Sequence, residues 1–396
     1  MPTPKLRFKE FDGDWTKVGL DKISKVFDGT HQTPNYVESG IKFVSVENIH
    51  APYESDKFIT EEAFNKDFKN KPEPNDILMT RITAGEIGAT AIVDDREPLA
   101  YYVSLALIRP TAKVTTPFLN QYIGTPFFKN ELHKRIIHVA FPKKINLGDI
   151  NECLVSCPEK QEEQTKIASF LSAVDEKISQ LMQKYQLLSQ YKQGMMQKLF
   201  SQQLRFKADD GSEFGEWEEK KLGEISKTFS GGTPQSSNKS FYEGTIPFIK
   251  SGEISKNTTE QCINDLALEK SSAKLVKKGD LLYALYGATS GQVAISQIDG
   301  AINQAVLCIR SELNTKYLLN FLLLKKEEIL TTYLQGGQGN LSASILKEIY
   351  IPTPCLEEQT KIANFLSAID QKIEVVAEQI EQAKIWKKGL LQQMFV

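Results

Sequence analysis

The residues that most suggest catalysis lie between positions 209 and 221, where acidic and basic side chains are crowded together. Two overlapping Glu-x-Lys pairs run over positions 218–221 and follow Asp209 and Asp210. A Glu-x-Lys pair is a feature of nucleases, in which the chemistry is phosphodiester hydrolysis. Here the pairs lack a preceding proline and a clear strand, and dense charge is more typical of a solvated segment. We therefore interpret this stretch as a solvated linker.

Other catalytic and cofactor motifs are absent from the sequence. It contains no Gly-x-x-x-x-Gly-Lys-Ser/Thr phosphate loop, so ATP hydrolysis is not expected of this chain. It also contains no Asn/Asp-Pro-Pro-aromatic tetrapeptide, with which amino-methyltransferases hold a flipped base. None of the 4 histidines lies close to a cysteine, and the 5 cysteines have no paired short spacing. We expect no catalytic residue, metal, cofactor or disulfide framework in this chain.

A long internal repeat defines the elements that must position any functional residue. Residues 162–175 read Glu-Glu-Gln-Thr-Lys-Ile-Ala-Ser-Phe-Leu-Ser-Ala-Val-Asp, and residues 357–370 repeat them with two substitutions. The match continues without a gap to Phe200 and Phe395, at a constant offset of 195 residues. The chain therefore consists of two related halves.

Both repeats are predicted to form long helices that pair with each other as a coiled coil. Apolar residues recur at seven-residue spacing in two rows, the a and d positions, over about five heptads. Each helix would be roughly 60 Å long, which is longer than a small domain is wide. The alternative, an amphipathic helix lying on the core of its own domain, stays open. The residues predicted at the coiled-coil interface are Ile167, Leu171, Val174, Ile178, Leu181, Ile362, Leu366, Ile369, Ile373 and Val376.

Lys192 and Lys387 interrupt the d row at equivalent places in the two helices. A polar residue in a heptad seam can specify the register at some cost in stability. Alternatively, the supercoil contact ends there and both lysines are solvated or touch a partner. The sequence leaves both interpretations open.

The segments that precede the two helices also match each other, although more weakly. Leu-Arg-Phe at 6–8 and at 204–206 is followed in each half by a tryptophan, a glycine-rich turn and a helix-like stretch. Short β-branched and aromatic runs fill the rest, so each half is predicted to be mixed α and β. We predict an α+β fold in which two similar mixed domains are separated by an antiparallel coiled coil, as a pseudo-two-fold internal repeat. The predicted boundaries are 1–157 and 203–353 for the domains, and 158–202 and 354–396 for the helical spacers.

With this arrangement the sequence closely resembles the specificity subunits of type I restriction–modification enzymes. The specific markers are the two helix openings and the Ser-Gly-Gly-Thr-Pro loop at 230–234, from which the first half departs with Asp-Gly-Thr-His-Gln-Thr-Pro at 28–34. The resemblance implies a non-catalytic subunit of a host-defence system, with two target-recognition domains that read a bipartite, asymmetric target in double-stranded DNA. It implies that two modification subunits, which methylate adenine, dock on the helices, and that two restriction subunits can join. S-adenosylmethionine, ATP and Mg²⁺ would be bound by those partners.

Loops rich in small, polar and basic residues are the candidates for DNA contact under this hypothesis. Arg and Lys can pair with guanine, Gln and Asn with adenine, and Ser or Thr with either. The alternative interpretation of such loops is ordinary turn chemistry. In the first domain the predicted DNA-binding residues are Thr30, His31, Gln32, Thr33, Arg81, Lys143 and Lys144. In the second domain they are Thr233, Gln235, Lys250, Tyr286, Thr289, Ser290, Gln338 and Asn340.

The charge of the chain limits how it can bind DNA. The net charge is −2, with 20 basic against 21 acidic side chains in 1–157 and 17 against 18 in 203–353. Phosphate neutralisation normally supplies much of the affinity for DNA. A DNA-binding face must therefore be a local patch, or partners must supply phosphate contacts. A structural coiled-coil scaffold that joins two protein-binding domains would also explain the charge, and it is the alternative function.

Nothing in the sequence predicts export or membrane insertion. The sequence has no apolar run of about 18 residues, the length that a membrane span requires. The first eleven residues are charged and lack the apolar core of a signal peptide. An odd number of cysteines fits reduced thiols. We expect a cytoplasmic protein without membrane contact.

Overall fold

The chain divides into two compact units. Unit 1 comprises residues 1–182 and 378–396, and unit 2 comprises residues 183–377. Each unit therefore holds one globular part and one portion of each long helix. The computed structural model describes residues 3–82, 86–137, 142–334 and 341–396, with Tyr333 and Leu334 described in their backbone alone.

Unit 1 is built from short strands and helices that alternate along the chain. Its strands are β1 (Trp15–Gly19), β2 (Ser24–Asp28), β3 (Ile41–Val44), β4 (Phe58–Ile59), β5 (Ile77–Thr80), β6 (Thr90–Ile92), β7 (Leu99–Tyr101), β8 (Leu105–Pro110) and β9 (Leu154–Pro158). Its helices are α1 (Glu61–Asp67), α2 (Thr116–Ile123), α3 (Pro126–Lys134), α4 (Leu147–Asn151), the part of α5 (Gln161–Phe200) up to Met182, and the end of the C-terminal helix. Single 3-10 turns lie at Leu20–Lys22, Val46–Asn48 and Pro52–Glu54.

Unit 2 repeats this order of elements with one additional strand beside its parallel pair. Its strands are β10 (Glu218–Lys221), β11 (Ser226–Ser230), β12 (Ile246–Ile249), β13 (Cys262–Ile263), β14 (Lys274–Val276), β15 (Leu281–Ala284), β16 (Val293–Ile295), β17 (Gly300–Ile302), β18 (Val306–Ser311) and β19 (Tyr350–Thr353). Its helices are α6 (Asp265–Glu269), α7 (Thr315–Leu324), α8 (Lys326–Leu334), α9 (Ala343–Lys347), the end of α5, and α10 (Leu356–Gln393) up to Ala377. Single 3-10 turns lie at Lys239–Tyr242 and Ser251–Glu253.

The sheets of the two units have the same topology apart from the additional strand β14 of unit 2. In unit 1 their orders are β1-β9, β2-β8-β5-β6 and β4-β3-β7; in unit 2 they are β10-β19, β11-β18-β15-β16 and β13-β12-β17-β14. The pairs β3–β7 and β12–β17 are parallel, and the other pairs are antiparallel. The central strand β5 is buried on both faces, because its side chains alternate between two cores: Ile77 and Met79 enter one, and Leu78 enters the other. The strand β15 divides its side chains in the same way.

The predicted pairing of the long helices is confirmed within each unit. In unit 1 the early turns of α5, with Ile167 and Leu171, share a core with Leu390 near the end of α10 and with Met394 just after it. In unit 2 the early turns of α10 share a core with the last turns of α5. The helices are therefore antiparallel. Of the ten predicted interface residues, Ile178 and Ile373 are partly buried and the following are buried: Ile167, Leu171, Val174, Leu181, Ile362, Leu366, Ile369 and Val376.

The two interpretations of the helical stripes are both realised. Leu171 is in the same core as Trp15 and Phe118 of the globular part of unit 1. Leu366 is likewise in one core with Tyr317 of the globular part of unit 2. The stripe at the start of each helix therefore stabilises its own globular part as well as the helix pair, and burial of each such leucine contributes about 1.5–3 kcal/mol.

The two lysines in the d row form ion pairs across the helix pair. Lys387 Nζ lies 2.5 Å from Asp175 Oδ1 in unit 1, and Lys192 Nζ lies 2.6 Å from Asp370 Oδ1 in unit 2. The lysines are 26% and 16% exposed, while the aspartates are 40% and 49% exposed. Because equivalent residues pair in both units, these contacts favour the interpretation that the lysines specify register.

The repeated Glu-Glu-Gln at the start of each long helix is explained by a buried cluster. Arg7 donates from Nε and Nη2 to the carboxylate of Glu163 at 2.7 and 2.8 Å, and Trp15 Nε1 donates to the same carboxylate at 3.3 Å. In unit 2, Arg205 donates to Glu358 at 3.1 and 2.9 Å, and the indole of Trp217 donates to it at 2.8 Å. These hydrogen bonds raise the pKa of both guanidinium groups, so each arginine stays charged.

The glutamine of the same motif holds the loop that precedes α2 in unit 1 and α7 in unit 2. In unit 1, Gln164 Oε1 accepts from the amide of Thr115 at 2.8 Å, and its Nε2 donates to the carbonyl of Pro158 at 2.9 Å. In unit 2, Gln359 makes the equivalent bonds to Asn314 and Pro354, both at 2.8 Å. The motif that defines the repeat is therefore structural, because its polar groups satisfy buried partners.

The interpretation of positions 209–221 as a linker is wrong for their last four residues. Glu218–Lys221 is the strand β10, and it pairs antiparallel with β19. Its charges are neutralised locally, since Glu218 pairs with Lys220 and Lys221 pairs with Glu348, both at 2.7 Å. Charged side chains suit this strand because an edge strand must resist pairing with other chains.

Candidate nucleic-acid interface

The Gly-Gly-Thr-Pro loop of unit 2 is held against its neighbours by two glycines. A Cβ atom at Gly231 would lie 1.7 Å from the carbonyl oxygen of Ile302, and one at Gly232 would lie 2.6 Å from the Cβ of Ser272. A residue with a side chain fits at neither position unless the backbone moves. The amide of Gly231 donates to the carbonyl of Asn303 at 3.2 Å. The loop is therefore fixed against the segment that follows β17.

Thr233 in this loop contacts a glutamine that the sequence analysis did not select. Its hydroxyl donates to Oε1 of Gln304 at 2.6 Å, and both residues are exposed. The next residue, Pro234, accepts a hydrogen bond from the hydroxyl of Tyr242 at 2.7 Å. Thr233 and Gln304 are 71 residues apart along the chain, so no local sequence signal connects them.

Two cavities flank Thr233 within unit 2. The first has a volume of about 410 Å³ and is lined by Thr233, Ser236, Lys239, Tyr242, Phe248, Lys250, Gln261 and Asn303. The second is an open basin of about 640 Å³ that is lined by Gly231, Gly232, Thr233, Gln235, Lys270, Ser271, Ser272 and Gln304.

The surface around these cavities is locally positive. Lys239, Lys250 and Lys270 are among the lining residues, and no carboxylate of the described residues is. Within the described part of the chain, none of the three ammonium groups forms an ion pair with a carboxylate. Their charges are therefore available to an anionic ligand, although residues 203–353 as a whole carry one more acidic than basic side chain. Lys250 was predicted from the sequence, whereas Lys239 and Lys270 were not.

The structure brings together only part of the predicted set in unit 2. Thr233, Gln235 and Lys250 line the two cavities. Tyr286, Thr289 and Ser290 line neither of them and belong to the turn between β15 and β16. The hydroxyl of Ser290 donates to the carbonyl of Leu285 at 3.0 Å, which is turn chemistry. The predicted Gln338 and Asn340 lie outside the described residues.

In unit 1 one carboxylate connects two predicted residues. Asp28 accepts from Nε2 of the exposed His31 and from Nη2 of Arg81, both at 2.8 Å. Arg81 is only 7% exposed, and it also donates to the carbonyls of Val103 at 2.8 Å and Ile145 at 3.2 Å. A desolvated guanidinium requires such partners. Through these contacts Arg81 supports the segments that carry His31 and Ile145, and its contact with DNA stays a prediction.

The other predicted residues of unit 1 are on the two segments that Arg81 supports. Thr30 is nearly buried, and its amide donates to the carbonyl of Tyr101 at 3.3 Å. The carbonyl of Lys144 accepts from the amide of Ile137 at 2.9 Å. The exposed members of the predicted set are His31, Gln32, Thr33, Lys143 and Lys144.

The described residues show no metal site, and the thiols of Cys153 and Cys308 are buried. No group of three or more His, Cys, Asp and Glu side chains in them could hold a metal ion. Burial raises the pKa of Cys153 and of Cys308 to about 12, so both thiols stay protonated at neutral pH. Among the helices of the described residues, none is long and apolar enough to cross a membrane.

The sequence matches the family model described as the type I restriction modification DNA specificity domain twice, over residues 13–190 and 215–384. It is 28% identical over 409 residues to the putative type I restriction enzyme MjaX specificity subunit of Methanocaldococcus jannaschii, and this match covers 98% of the chain and 94% of that protein. It is 25% identical over 236 residues to the EcoR124I/EcoR124II specificity subunit of Escherichia coli, with 57% of each protein covered.

Solved structures show the same fold. The S subunit of a type I restriction-modification system from M. genitalium matches with a TM-score of 0.64 and 16% identity, covering 100% of this chain and 99% of that one. A chain from a structural study of complex assembly and conformational transition in the type I R-M system matches with a TM-score of 0.61 and 17% identity, covering 97% and 99%.

Proposed function

Because the chain belongs to the family of type I restriction–modification DNA specificity subunits, we propose that each of its globular parts reads one half of a split target in double-stranded DNA. The proposed target-recognition domains are residues 1–157 and 203–353, and the proposed helical spacers are residues 158–202 and 354–396. The two domains share a framework but differ in their loops, so the target is bipartite and asymmetric.

The observation that supports DNA contact most directly is the positive surface around Thr233. The described lining residues include three lysines and no acidic residue, which suits phosphate contact, and the amide and hydroxyl groups beside the lysines suit contact with base edges. In the first domain, the exposed His31, Gln32, Thr33, Lys143 and Lys144 are the proposed contacts.

Salt dependence of DNA binding tests the assignment of the lysines. The full chain, assembled with its modification partner, is titrated with DNA over a series of salt concentrations. Each of Lys239→Gln and Lys270→Gln should lower the slope of log K against log salt by about 0.9, the value for one phosphate contact. The control is Lys316→Gln, because Lys316 is an exposed lysine of the same unit that lines neither cavity. Equal slopes for all variants would contradict the assignment, and an absence of DNA binding by the wild-type complex would favour a structural scaffold.

We propose that two modification subunits dock on the exposed apolar side chains of the long helices. In unit 1, Ile385 and Trp386 are 69% and 54% exposed, and in unit 2, Leu187 and Tyr191 are 57% and 52% exposed. Large apolar groups exposed on a helix pair are typical of a surface that a partner covers. Two restriction subunits complete the proposed assembly.

Co-purification with the modification subunit tests this docking surface. Trp386→Ser and Tyr191→Ser should each weaken complex formation, since aromatic residues often dominate the energy of interfaces. Gln382→Ser, at an exposed polar position of α10, is the matched control. Complexes of unchanged affinity in both aromatic variants would place the partner elsewhere.

We also propose that the chain has no catalytic activity or cofactor of its own, and that S-adenosylmethionine, ATP and Mg²⁺ are bound by its partners. The sequence lacks the motifs for those ligands. Methyl transfer or DNA cleavage by a partner-free preparation would refute this. A cytoplasmic location is proposed because the substrate is DNA and the cysteines are unpaired.

A further inference from the structure

We infer that Gln304, held by Thr233, reads one adenine–thymine base pair in the half of the DNA target bound by the second domain, an inference that rests on the proposed function. No motif marks this residue, and it stands beside the positive surface only because the fold brings β17 to the Gly-Gly-Thr-Pro loop.

Gln304 is exposed and yet held in place. Its Oε1 accepts from the Thr233 hydroxyl at 2.6 Å. The backbone beside it is fixed as well, since Asn303 Oδ1 accepts from the amide of Ala305 at 3.1 Å and the Asn303 carbonyl accepts from Gly231. An exposed glutamine normally samples several rotamers, and ordering it weakens binding. The bond to Thr233 orders the Gln304 side chain before DNA binds, so that this cost does not weaken binding.

The side-chain amide of Gln304 keeps hydrogen-bonding capacity for a ligand. The Oε1 of Gln304 keeps a second lone pair, and within the described residues its Nε2 has no hydrogen-bond partner. A donor and an acceptor side by side match the N7 acceptor and the N6 donor of adenine in the major groove. Guanine presents two acceptors on that edge, and the amide oxygen would face one of them. Lys239 and Lys270 on either side can contact phosphates and set the register.

The first domain has the same turn but lacks a glutamine at the position equivalent to Gln304. A Cβ atom at Gly29 would lie 2.6 Å from the carbonyl oxygen of Tyr101, as one at Gly231 would lie against Ile302. Two residues after Tyr101 the chain has Val103, whereas two residues after Ile302 it has Gln304. One framework thus carries an apolar side chain in one domain and an amide in the other, which is how a repeated scaffold can read two different sequences.

The experiment uses the full chain with its modification partner and measures the methylated motif by sequencing, with all four bases at every position of the target. Gln304→Val places the first domain's residue in the second domain. It should relax one A·T position of the second half-site, raising methylation of the best wrong base by about 5- to 150-fold. Thr233→Val should act at the same position with a smaller effect, since it removes only the hydroxyl that orients the amide. The first half-site should stay unchanged in both.

The control is Gln297→Val, because Gln297 is an exposed glutamine of the same unit whose Nε2 donates to the nearby carbonyl of Ile295. It should leave the motif as in the wild type. If Gln304→Val still methylates the wild-type bipartite motif, or if the position it relaxes is a G·C pair, the inference is overturned. Neither result contradicts the proposed function. A wild-type complex that methylates no bipartite motif overturns both.

Discussion

Replacing Glu163 with alanine should destabilise unit 1 far more than replacing its neighbour Glu162. Glu163 has a side-chain exposure of 2%, and it accepts two hydrogen bonds from Arg7, whose side chain is 13% exposed. Glu163→Ala leaves this guanidinium and the indole of Trp15 without their acceptor. Removing one partner of a buried ion pair costs about 3–5 kcal/mol. Because Arg7 retains some access to water, we expect Glu163→Ala to lower the free energy of unfolding by about 3 kcal/mol, the low end of this range.

The measurement is thermal and urea denaturation of the full chain, with hydrogen exchange to locate the loss. For a unit of about 200 residues, 3 kcal/mol corresponds to a fall in melting temperature of roughly 6–12 °C. Hydrogen exchange is needed because the two units need not unfold together. Peptides from residues 3–82 should lose protection. The equivalent Glu358→Ala should cause a loss of similar size in unit 2, since its carboxylate is fully buried against Arg205.

Two controls make the result decisive. Glu162→Ala removes an exposed carboxylate from the same helical turn, so it accounts for the interaction with the helix dipole, about 0.3–1 kcal/mol. The double replacement Arg7→Met with Glu163→Met should recover most of the stability, because a buried ion pair can be exchanged for apolar groups at little cost. If Glu163→Ala costs no more than Glu162→Ala, the cluster does not hold the start of the helix and the reasoning is refuted.

Three further predictions concern the helix pair and the Gly-Gly-Thr-Pro loop. Gly231→Ala should lower the free energy of unfolding in urea by about 1–3 kcal/mol and disturb reading of the second half-site, because its Cβ would lie 1.7 Å from the Ile302 carbonyl oxygen. The control is Gly252→Ala, which has open space for a Cβ and should leave the stability unchanged. Equal effects of the two substitutions would show that the loop adapts to a side chain. Leu366→Asp should lower the free energy of unfolding by several kcal/mol and reduce the helix content measured by circular dichroism, because Leu366 is buried. The control is Ala368→Asp at an exposed position of the same helix. Normal helix content in Leu366→Asp would place this side chain outside the core. Lys192→Met should change the free energy of unfolding by less than about 1 kcal/mol, because Asp370 is half exposed, and a much larger loss would mean that the ion pair is shielded from water.

Features that depend on periodicity and repetition could be predicted from the sequence. The heptad rows predicted helices that the structure places at Gln161–Phe200 and Leu356–Gln393, and the repeat predicted two halves with the same order of elements. The same method mistook the strand Glu218–Lys221 for a linker, because a short, charged edge strand has no apolar alternation to reveal it.

The candidate site could be predicted only in part. Turn residues and basic residues pointed to Thr233, Gln235 and Lys250, which do line the two cavities. Arg81 was predicted to contact DNA as a basic residue of a polar loop, and the structure places its guanidinium against Asp28 and two backbone carbonyls. The burial of a single side chain depends on strands that are distant in sequence, so no local sequence pattern predicts that burial.

The sequence by itself determined the architecture of this protein: a repeated helix, a repeated globular framework and the family to which they are similar. These properties follow from side chains at regular, short spacing, which act through local geometry. The tertiary structure decided where charge and hydrogen-bonding capacity lie. Residues 203–353 are almost neutral in composition, yet three lysines around Thr233 have no ion-pair partner among the described residues, and folding brings Gln304 to Thr233 from 71 residues away. Electrostatic potential and hydrogen bonding depend on distances in space, and only the fold sets those distances.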